Sequence, residues 1–380
     1  MDLFTGTLLA VTALYAGIAL AFVIGLFRLP AGQKEHAQPF ISVVIAARNE
    51  AAFIGQVLQD LSRQTYPPEH FEVLVVDDDS QDETRTIVAD AGLRAPNIRC
   101  LPVGTAFPRM AAKKRPMSVG IKAARGEIIL TTDADCRMPS TWVEGMAAGF
   151  EPGVDVVIGF SQIKQACSAC APFERLQAFD FLTLMSAAAG AAGIGFPLAA
   201  TGQNLAYRKA LFEQVGGFQR IGHRPSGDDV LLLQLMRREG KGRIIFSAAP
   251  GTFVSTWRTE TVASFWQQRR RWASNAIYQA CLNPAFFVYI IVVFLINLLA
   301  PLGLILSAEA GGRFLSGVCW GTKILADMAV IWTGARRFAR TDLLRVLPAW
   351  EILQPPYTVL VGLFGTLGGF RWKDRYHRQV

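Results

Sequence analysis

Two uncharged apolar runs constrain this chain more than any other feature of its sequence. Residues 3–27 and 284–307 contain no acidic or basic side chain. Each is long enough to cross a bilayer as a helix, for which about 20 apolar residues suffice. No basic segment precedes the first run, and no clear small-residue cleavage site follows it. The sequence therefore predicts an uncleaved anchor over residues 1–30 instead of a signal peptide.

The C-terminal part of the chain, residues 281–370, is predicted to be a second membrane region. Besides the run 284–307 it contains a weaker apolar run, 314–334, which includes Lys323 and Asp327. These two residues are four positions apart and share one helical face, where they can pair or face the protein interior. The sequence thus predicts two spans in this region.

A third apolar run, 348–369, is interrupted by Pro355, Pro356 and several glycines. A full span there would place the basic tail, residues 371–380, on the outer side, although basic residues beside spans tend to stay in the cytoplasm. We therefore predict a re-entrant or interfacial segment, bent into a shallow hairpin, and a cytoplasmic C-terminus. Neighbouring helices or water must satisfy the backbone groups that such a bend frees.

The positive charge of the chain has a simple explanation in this topology. The formal net charge is +8, and much of the basic excess flanks the apolar runs, as at 336–345. Basic residues in such positions mark the cytoplasmic side of a membrane. The sequence therefore predicts contact with membrane lipids and none with nucleic acid. It also predicts a protein of a bacterial inner membrane whose globular segment, residues 38–280, faces the cytoplasm.

The six cysteines do not suggest a disulfide framework. Cys167 and Cys170 form one Cys-x-x-Cys pair without a second pair or a suitable histidine. A cytosolic domain would keep both thiols reduced, and we expect no zinc or redox site there.

The globular segment alternates between strand-like and helix-like patterns. Apolar runs of strand length lie at 41–51, 71–80, 98–102, 126–136 and 154–163, and helical spacing lies between the first four, at 51–64, 83–91 and 111–124. This alternation predicts an α/β fold with a parallel sheet. A Gly-containing turn, a short strand and a helix follow at 200–218. The apolar stretch 171–196 can lie at the membrane face or form part of an acceptor cleft.

Polar side chains end three successive strands of this predicted sheet. They are Arg48, Asn49 and Glu50, then Asp77, Asp78 and Asp79, then Asp133 and Asp135. One acidic strand end can be a helix cap, but three would converge on the crevice at the carboxyl ends of the strands, where such sheets bind ligands. Two carboxylates in Asp-x-Asp spacing are hard oxygen ligands that suit Mg²⁺ or Mn²⁺ on a diphosphate.

Two further segments carry side chains suited to chemistry. In "SGDD" (226–229), Asp228 and Asp229 precede an apolar-faced helix, where a carboxylate can be a helix cap or a general base. In "QQRRRW" (267–272), the arginines can belong to a basic helix at a membrane surface, or they can clamp a diphosphate. The tryptophan of this segment can stack on a sugar ring or cover an apolar acceptor.

Residues 40–275 resemble a family 2 glycosyltransferase with the GT-A fold. The resembling stretches are, in the order of the family, "VVIAARNEA", "VVDDDSQDET", "AAKKRPMSVGIKAARGEIILTTDADC", "SGDD" and "QRRRW". Three positions depart from the family pattern: Asp79 replaces a glycine, Ser118 replaces an asparagine found in many members, and Asp228 replaces a glutamate. The last segment resembles the family's Gln-x-x-Arg-Trp motif, with Gln268, Arg271 and Trp272 at its defining positions.

The resemblance implies inverting transfer of a sugar from a nucleotide-sugar donor, usually a UDP-sugar, with Mg²⁺ or Mn²⁺ as cofactor. It implies donor-binding roles for Asn49, Glu50, Asp77, Asp78, Lys113, Lys114, Asp133, Gln268, Arg271 and Trp272. For the two lysines, it implies that one or the other lies near the phosphates. Asp135, assisted by Asp133, would hold the metal. Asp229, beside Asp228, would deprotonate the acceptor hydroxyl.

The acceptor is left open by this resemblance. The Gln-x-x-Arg-Trp motif occurs in polysaccharide synthases and in enzymes that glycosylate one lipid. A polymer channel needs several helices around a pore, so a synthase would need this chain to form an oligomer. We favour a lipid-linked or membrane-embedded acceptor over a growing glycan. A non-catalytic membrane scaffold is a third hypothesis, which the intact set of Asp135, Asp229 and Arg271 disfavours.

Overall fold

The computed structural model describes residues 3–30, 38–164, 172–372 and 375–377. The chain divides into two compact units. The sheet unit comprises Leu29–Lys164 and Gly195–Trp257, and the helical unit comprises Met1–Arg28, Gln165–Ile194 and Arg258–Val380. Cys167 and Cys170 lie outside the described residues. Among those described, Cys100, Cys136, Cys281 and Cys319 are free thiols.

The strands, numbered along the chain, are β1 (Ile41–Ala47), β2 (Phe71–Asp77), β3 (Ile98–Pro102), β4 (Ile128–Asp133), β5 (Val154–Gly159), β6 (Ser161–Ile163), β7 (Leu205–Arg208), β8 (Arg243–Ser247), β9 (Val254–Thr256), β10 (Phe370–Trp372) and β11 (Arg375–His377). The helices are α1 (Leu3–Arg28), α2 (Ile54–Ser62), α3 (Thr84–Arg94), α4 (Lys114–Ala123), α5 (Trp142–Ala147), α6 (Pro172–Gly193), α7 (Lys209–Gln214), α8 (Val230–Glu239), α9 (Val262–Ala273), α10 (Ala276–Leu282), α11 (Pro284–Leu306), α12 (Ala310–Arg337) and α13 (Leu347–Leu367).

The sheet unit is built on seven strands in the order β3-β2-β1-β4-β7-β5-β8. The strands pair in parallel except β7, which is antiparallel to both neighbours. Strands β1, β2 and β4 are apolar and almost completely buried, as strands covered on both faces must be. The predicted fold class, a mostly parallel α/β sheet plus long apolar helices, is confirmed.

Strand register brings the predicted acidic ends to one edge of the sheet. Ala47 at the end of β1 is opposite Asp77 of β2, and Ala46 is opposite Asp133 of β4. Parallel strands in this register finish side by side. The three polar strand ends therefore lie together at the carboxyl edge, as the sequence predicts.

The segment 154–163 differs from its prediction because it forms two strands instead of one. β5 belongs to the large sheet, and β6 pairs with β9 in a separate two-stranded sheet. Asn204 enters the break: its amide donates to the carbonyls of Phe160 and Thr252 at 2.9 and 2.7 Å. An added Cβ on Gly159 would lie 2.2 Å from the Asn204 carboxamide. Only glycine at position 159 leaves space for the Asn204 side chain. At this point the chain passes from the large sheet to the two-stranded sheet.

Among the described residues, three helices of the helical unit are long and apolar enough to cross a membrane, namely α1, α11 and α12. Helix α1 packs against α6, α11 and α12. Its Gly25 approaches α6 so closely that an added Cβ would lie 1.9 Å from the Gly190 carbonyl oxygen. Small residues permit such backbone approach between apolar helices. The apolar stretch after residue 171 is therefore a helix packed on the first candidate span.

The last long helix, α13, differs from the structure predicted for the run 348–369. The run 348–369 does not bend into a hairpin: α13 continues through Pro355 and Pro356 as one helix, so that prediction is wrong. Proline removes few helical hydrogen bonds, and the remaining bonds satisfy the backbone where water is scarce. The interfacial placement of the run 348–369 stays a prediction.

The predicted domain 38–280 differs from the compact sheet unit, because helices α6, α9 and α10 belong to the helical unit.

Candidate active site

Two left-handed residues shape the loops that follow β1 and β2. Asn49 has φ 55° and Asp79 has φ 58°. Asn and Asp tolerate this conformation better than other non-glycine residues, which explains how Asp79 can replace the glycine of the family pattern. Asn49 also ties the two loops together, because its backbone NH donates to Ser80 Oγ at 3.0 Å and its Oδ1 accepts from the Gln81 NH at 2.8 Å.

The aspartates at the end of β2 have basic partners. Asp77 is buried, accepts from the Ser80 NH at 3.3 Å, and lies 3.7 Å from Arg85 Nε. Asp78 Oδ2 lies 3.6 Å from Arg48 Nη1. These contacts hold both carboxylates at the sheet edge predicted to bind the nucleoside. That role itself stays a prediction.

A carboxylate pair follows β4. Ligand atoms of Asp133, Asp135 and Cys136 lie within 4.8 Å of one another. The pKa of Asp135 rises to about 7 because of burial first, then the negative charges of Asp133 and Glu50. Burial also raises the pKa of the Cys136 thiol, so that it stays protonated and is a poor ligand for a hard cation. Two hard carboxylate oxygens held this close together fit Mg²⁺ or Mn²⁺.

Lys113 links this pair to the acidic start of α8. Its ammonium donates to Asp133 Oδ1 and lies 3.6 Å from Asp228 Oδ2. Burial alone would lower the pKa of Lys113, but Asp133 and Asp228 raise it above the usual lysine value. The lysine is therefore a fixed positive charge between the candidate metal ligands and the candidate base.

Lys114 has a different position from its neighbour. It is completely buried, and its ammonium donates to the carbonyl oxygens of Arg224 and Ser226 at 2.8 Å each. These bonds fix the loop that leads to Asp228. Of the two lysines that the resemblance offered for the phosphates, Lys113 fits that role and Lys114 has a structural one.

Asp229 is both the cap of α8 and a partner of a loop that the sequence analysis gave no role. Its Oδ1 accepts from the Val230 NH at 2.6 Å, and its Oδ2 accepts from the Gly202 NH at 3.2 Å. Burial, then the charge of Asp228, raises the pKa of Asp229, which makes it a stronger base. An added Cβ on Gly202 would lie 3.2 Å from Lys113 Nζ. Glycine at position 202 therefore leaves room for the Lys113 ammonium. The position of this glycine in the segment "ATGQN" (200–204) was the sequence signal that could have pointed to the loop.

The Gln-x-x-Arg-Trp motif lies on α9, in the helical unit, and the first of its three arginines organises it. Arg269 is buried, and its Nε donates to Asp180 Oδ2 of α6 at 2.7 Å. Its Nη1 donates to Gln268 Oε1 at 2.8 Å, and its guanidinium lies 4.0 Å from the centre of the Trp272 ring. Arg269 thus orients two motif side chains, a role that the sequence analysis missed. The predicted donor contacts of Gln268, Arg271 and Trp272 stay predictions.

A comparison with solved structures identifies the class of protein to which this fold and its acidic sheet edge belong. The mannosyltransferase from Pyrobaculum calidifontis, solved in complex with GDP-Man and Mn²⁺, has the same fold, with a TM-score of 0.59. Its sequence is 18% identical, and the likeness covers 96% of this chain and 99% of that one. This similarity identifies the fold as that of GT-A glycosyltransferases.

The sequence narrows that class to a family. Residues 128–364 match the family described as glycosyl transferase family group 2, and residues 42–169 match glycosyl transferase family 2. The chain belongs to glycosyl transferase family group 2. The predicted membership in family 2 is thereby confirmed.

Two curated relatives illustrate the range of the family. Glycosyltransferase AglE of Haloferax volcanii is 32% identical over 193 residues, which is 50% of this chain and 59% of the relative. Beta-monoglucosyldiacylglycerol synthase of Synechocystis sp. is 27% identical over 258 residues, which is 64% of this chain and 49% of the relative. The chain spans about half the length of the curated relatives it matches.

Proposed function

We propose that the chain transfers a sugar, with inversion, from a nucleotide-sugar donor to a hydroxyl of a lipid-linked or membrane-embedded acceptor. One observation carries this proposal. Lys113 stands between a carboxylate pair suited to a divalent cation and a buried aspartate suited to act as a base. Sugar transfer needs these two chemistries side by side, because the leaving group gains negative charge while the acceptor loses a proton.

Asp135 and Asp133 would hold Mg²⁺ or Mn²⁺, which would offset the charge of the donor diphosphate. Asn49, Glu50, Asp77 and Asp78 would contact the nucleoside at the same sheet edge. The mannosyltransferase that shares this fold was solved with Mn²⁺, which supports a divalent cation at the carboxylate pair. We take a UDP-sugar as the donor class on the resemblance to family 2.

The reaction itself uses groups of this chain. Asp229 accepts the proton of the acceptor hydroxyl while that oxygen attacks the anomeric carbon. The bond between the anomeric carbon and the diphosphate oxygen breaks, and its electrons leave with the nucleoside diphosphate. Lys113, released from Asp133, stabilises that charge, as Arg271 of the Gln-x-x-Arg-Trp motif also would. A single displacement of this kind inverts the anomeric centre.

The acceptor proposal rests on the apolar helices and on one relative. Three candidate spans are few for a polymer channel but sufficient to anchor an enzyme that modifies a lipid. A relative named beta-monoglucosyldiacylglycerol synthase supports a lipid acceptor. The second candidate is a processive polysaccharide synthase, which the predicted motif on α9 also permits and which would require an oligomer.

We further propose that the chain is an integral protein of a bacterial inner membrane, with the sheet unit in the cytoplasm. Nucleotide-sugars are made in the cytoplasm, and the basic residues around the apolar helices favour the same side. Anionic membrane lipids would then contact those residues.

Product analysis tests the proposal. The protein, purified in detergent, is incubated with Mn²⁺, a panel of UDP-sugars and GDP-mannose, and extracted membrane lipids, and the products are analysed by mass spectrometry. One added sugar per lipid supports the proposal, and a ladder of masses favours the synthase. If the wild type shows neither transfer nor donor hydrolysis, and the Asp229→Asn variant behaves identically, the result would support a non-catalytic scaffold.

A further inference from the structure

Five polar side chains are buried together among the apolar helices of the helical unit. They are Tyr15 of α1, Lys323 and Asp327 of α12, and Glu351 and Gln354 of α13, and none is more than 8% exposed. Burying ionisable groups between apolar helices is costly, so their partners must compensate them. The predicted pairing of Lys323 with Asp327 is present, with Nζ 2.8 Å from Oδ2.

The lysine ammonium is surrounded by polar partners from α12 and α13. Besides contacting Asp327, the ammonium donates to Glu351 Oε2 at 2.6 Å and to Gln354 Oε1. The contact with Asp327 Oδ2 is an ion pair without a hydrogen bond. The other oxygen of Asp327, Oδ1, accepts from the Tyr15 hydroxyl.

Two buried carboxylate oxygens of the cluster, Asp327 Oδ2 and Glu351 Oε1, have no hydrogen-bond partner among the described residues. Asp327 Oδ2 is in an ion pair with the lysine ammonium, whereas Glu351 contacts the ammonium through its other oxygen, Oε2. With both carboxylates ionised, one ammonium would face two negative charges. The buried cluster would then carry a net charge of −1, beside an oxygen that accepts nothing. A metal cation is a poor remedy, because the lysine ammonium already occupies the centre of the cluster.

We propose that this cluster is a proton-binding site, and that Glu351 holds the proton on Oε1 at neutral pH. A neutral glutamic acid leaves Lys323 paired with ionised Asp327, and the cluster has no net charge. Glu351 Oε2 still accepts from the ammonium. None of the residues proposed to act in sugar transfer belongs to this cluster.

The other ionisable groups near α13 do not remove the excess charge. Tyr15 is a neutral donor, Arg269 is paired with Asp180, and Arg340 is paired with Asp342. Arg270 donates to the carbonyl of Phe364, a residue of α13 about four turns from Glu351. Within the part of the chain that the structure describes, Lys323 is therefore the one cation in contact with Glu351.

Infrared spectroscopy of the purified protein tests the site without an activity assay. At neutral pH we expect an absorption from a buried protonated carboxyl group that disappears in Glu351→Gln. Glu309→Gln, at an exposed position, is the matched control and should keep it. An unchanged spectrum in Glu351→Gln would show that Glu351 holds no proton and would overturn the proposal.

Isotope labelling of the wild-type protein identifies the type of residue that carries the proton. Labelling glutamate carboxyls with ¹³C should shift the band that Glu351→Gln removes, and labelling aspartate carboxyls should leave it in place. A shift with labelled aspartate would place the proton on Asp327 and overturn the assignment to Glu351.

Thermal unfolding gives a second readout. A group that binds its proton more tightly in the folded than in the unfolded chain contributes stability that is lost as pH rises. The unfolding temperature of the wild type should therefore fall more steeply with rising pH than that of Glu351→Gln. Equal slopes would contradict the proposal, whatever the enzyme does with sugars.

Discussion

The ammonium of Lys113 donates to Oδ1 of Asp133, a carboxylate that would otherwise be free to bind a cation. The same ammonium lies 3.6 Å from Asp228 Oδ2, beside the candidate base. A metal ion that binds this oxygen of Asp133 must therefore displace the lysine, and Asp228 offers the displaced charge a nearby partner. Lys113 thus connects the donor half of the site to the acceptor half.

We predict that Lys113→Met raises the affinity for Mn²⁺ in the absence of nucleotide. Removing one charged hydrogen bond from the ligand should be worth about tenfold in affinity. Transfer should fall nonetheless, because the leaving diphosphate loses its cation. Electron paramagnetic resonance of Mn²⁺ measures the affinity directly. Lys122→Met, at an exposed position of α4, is the control and should change neither the Mn²⁺ affinity nor the transfer rate. An unaltered Mn²⁺ affinity in Lys113→Met would show that the lysine does not compete with the metal for Asp133.

Asp135→Asn should remove the metal-dependent part of nucleotide binding. The substitution keeps the size of the side chain but removes the charge that a hard cation requires. Calorimetry with UDP, with and without Mn²⁺, measures the difference. Asp90→Asn, an exposed change on α3, serves as control. If Mn²⁺ improves UDP binding equally in wild type and in Asp135→Asn, this aspartate does not hold the metal.

Asp229→Asn should lower the transfer rate by about two to four orders of magnitude, the usual contribution of a general base. Asparagine caps a helix as well as aspartate does, so α8 should stay intact and the melting temperature nearly unchanged. Binding of UDP with Mn²⁺ should persist, because the base acts on the acceptor. A variant that kept more than about a tenth of the wild-type rate would show that another group takes the proton.

Arg269 should act on transfer through the orientation of Gln268 and Trp272. Arg269→Met leaves Asp180 buried and unpaired, which should cost about 3–5 kcal/mol of stability. The double variant Arg269→Met with Asp180→Asn removes both charges and should regain most of that stability. Transfer should stay up to about 100-fold low in the double variant, because the motif side chains lose their support.

The double variant separates the two roles. A purely structural arginine would let transfer recover together with the melting temperature. Arg270→Met, which removes one bond to the Phe364 carbonyl, is the neighbouring control and should have a small effect on both.

The C-terminus should lie in the cytoplasm. A cytoplasm-only fluorescent reporter fused after Val380 should be active, and a periplasm-only phosphatase at the same site should be silent. The opposite pattern is expected for fusions that end at Ser307, between α11 and α12. Phosphatase activity after Val380 would mean that α13 crosses the membrane in spite of the basic tail.

The sequence by itself determined the features that repeat along the chain. Apolar runs without charge specified the long helices, because lipid admits little else. Buried strand patterns that end in acid specified a parallel sheet with Asp77, Asp133 and Asp135 at one edge. The i to i+4 spacing placed Lys323 and Asp327 on one helical face. These features depend on local periodicity, which one sequence displays.

Only the tertiary structure decided which side chains meet across the chain. Lys113 and Lys114 are adjacent in sequence, yet one reaches Asp133 and the other is buried on backbone carbonyls. Arg269 became the organiser of its motif because α6 supplies Asp180. Glu351 met Lys323 because α13 remained helical through two prolines. Such contacts depend on the packing of distant elements, whose geometry no local pattern contains.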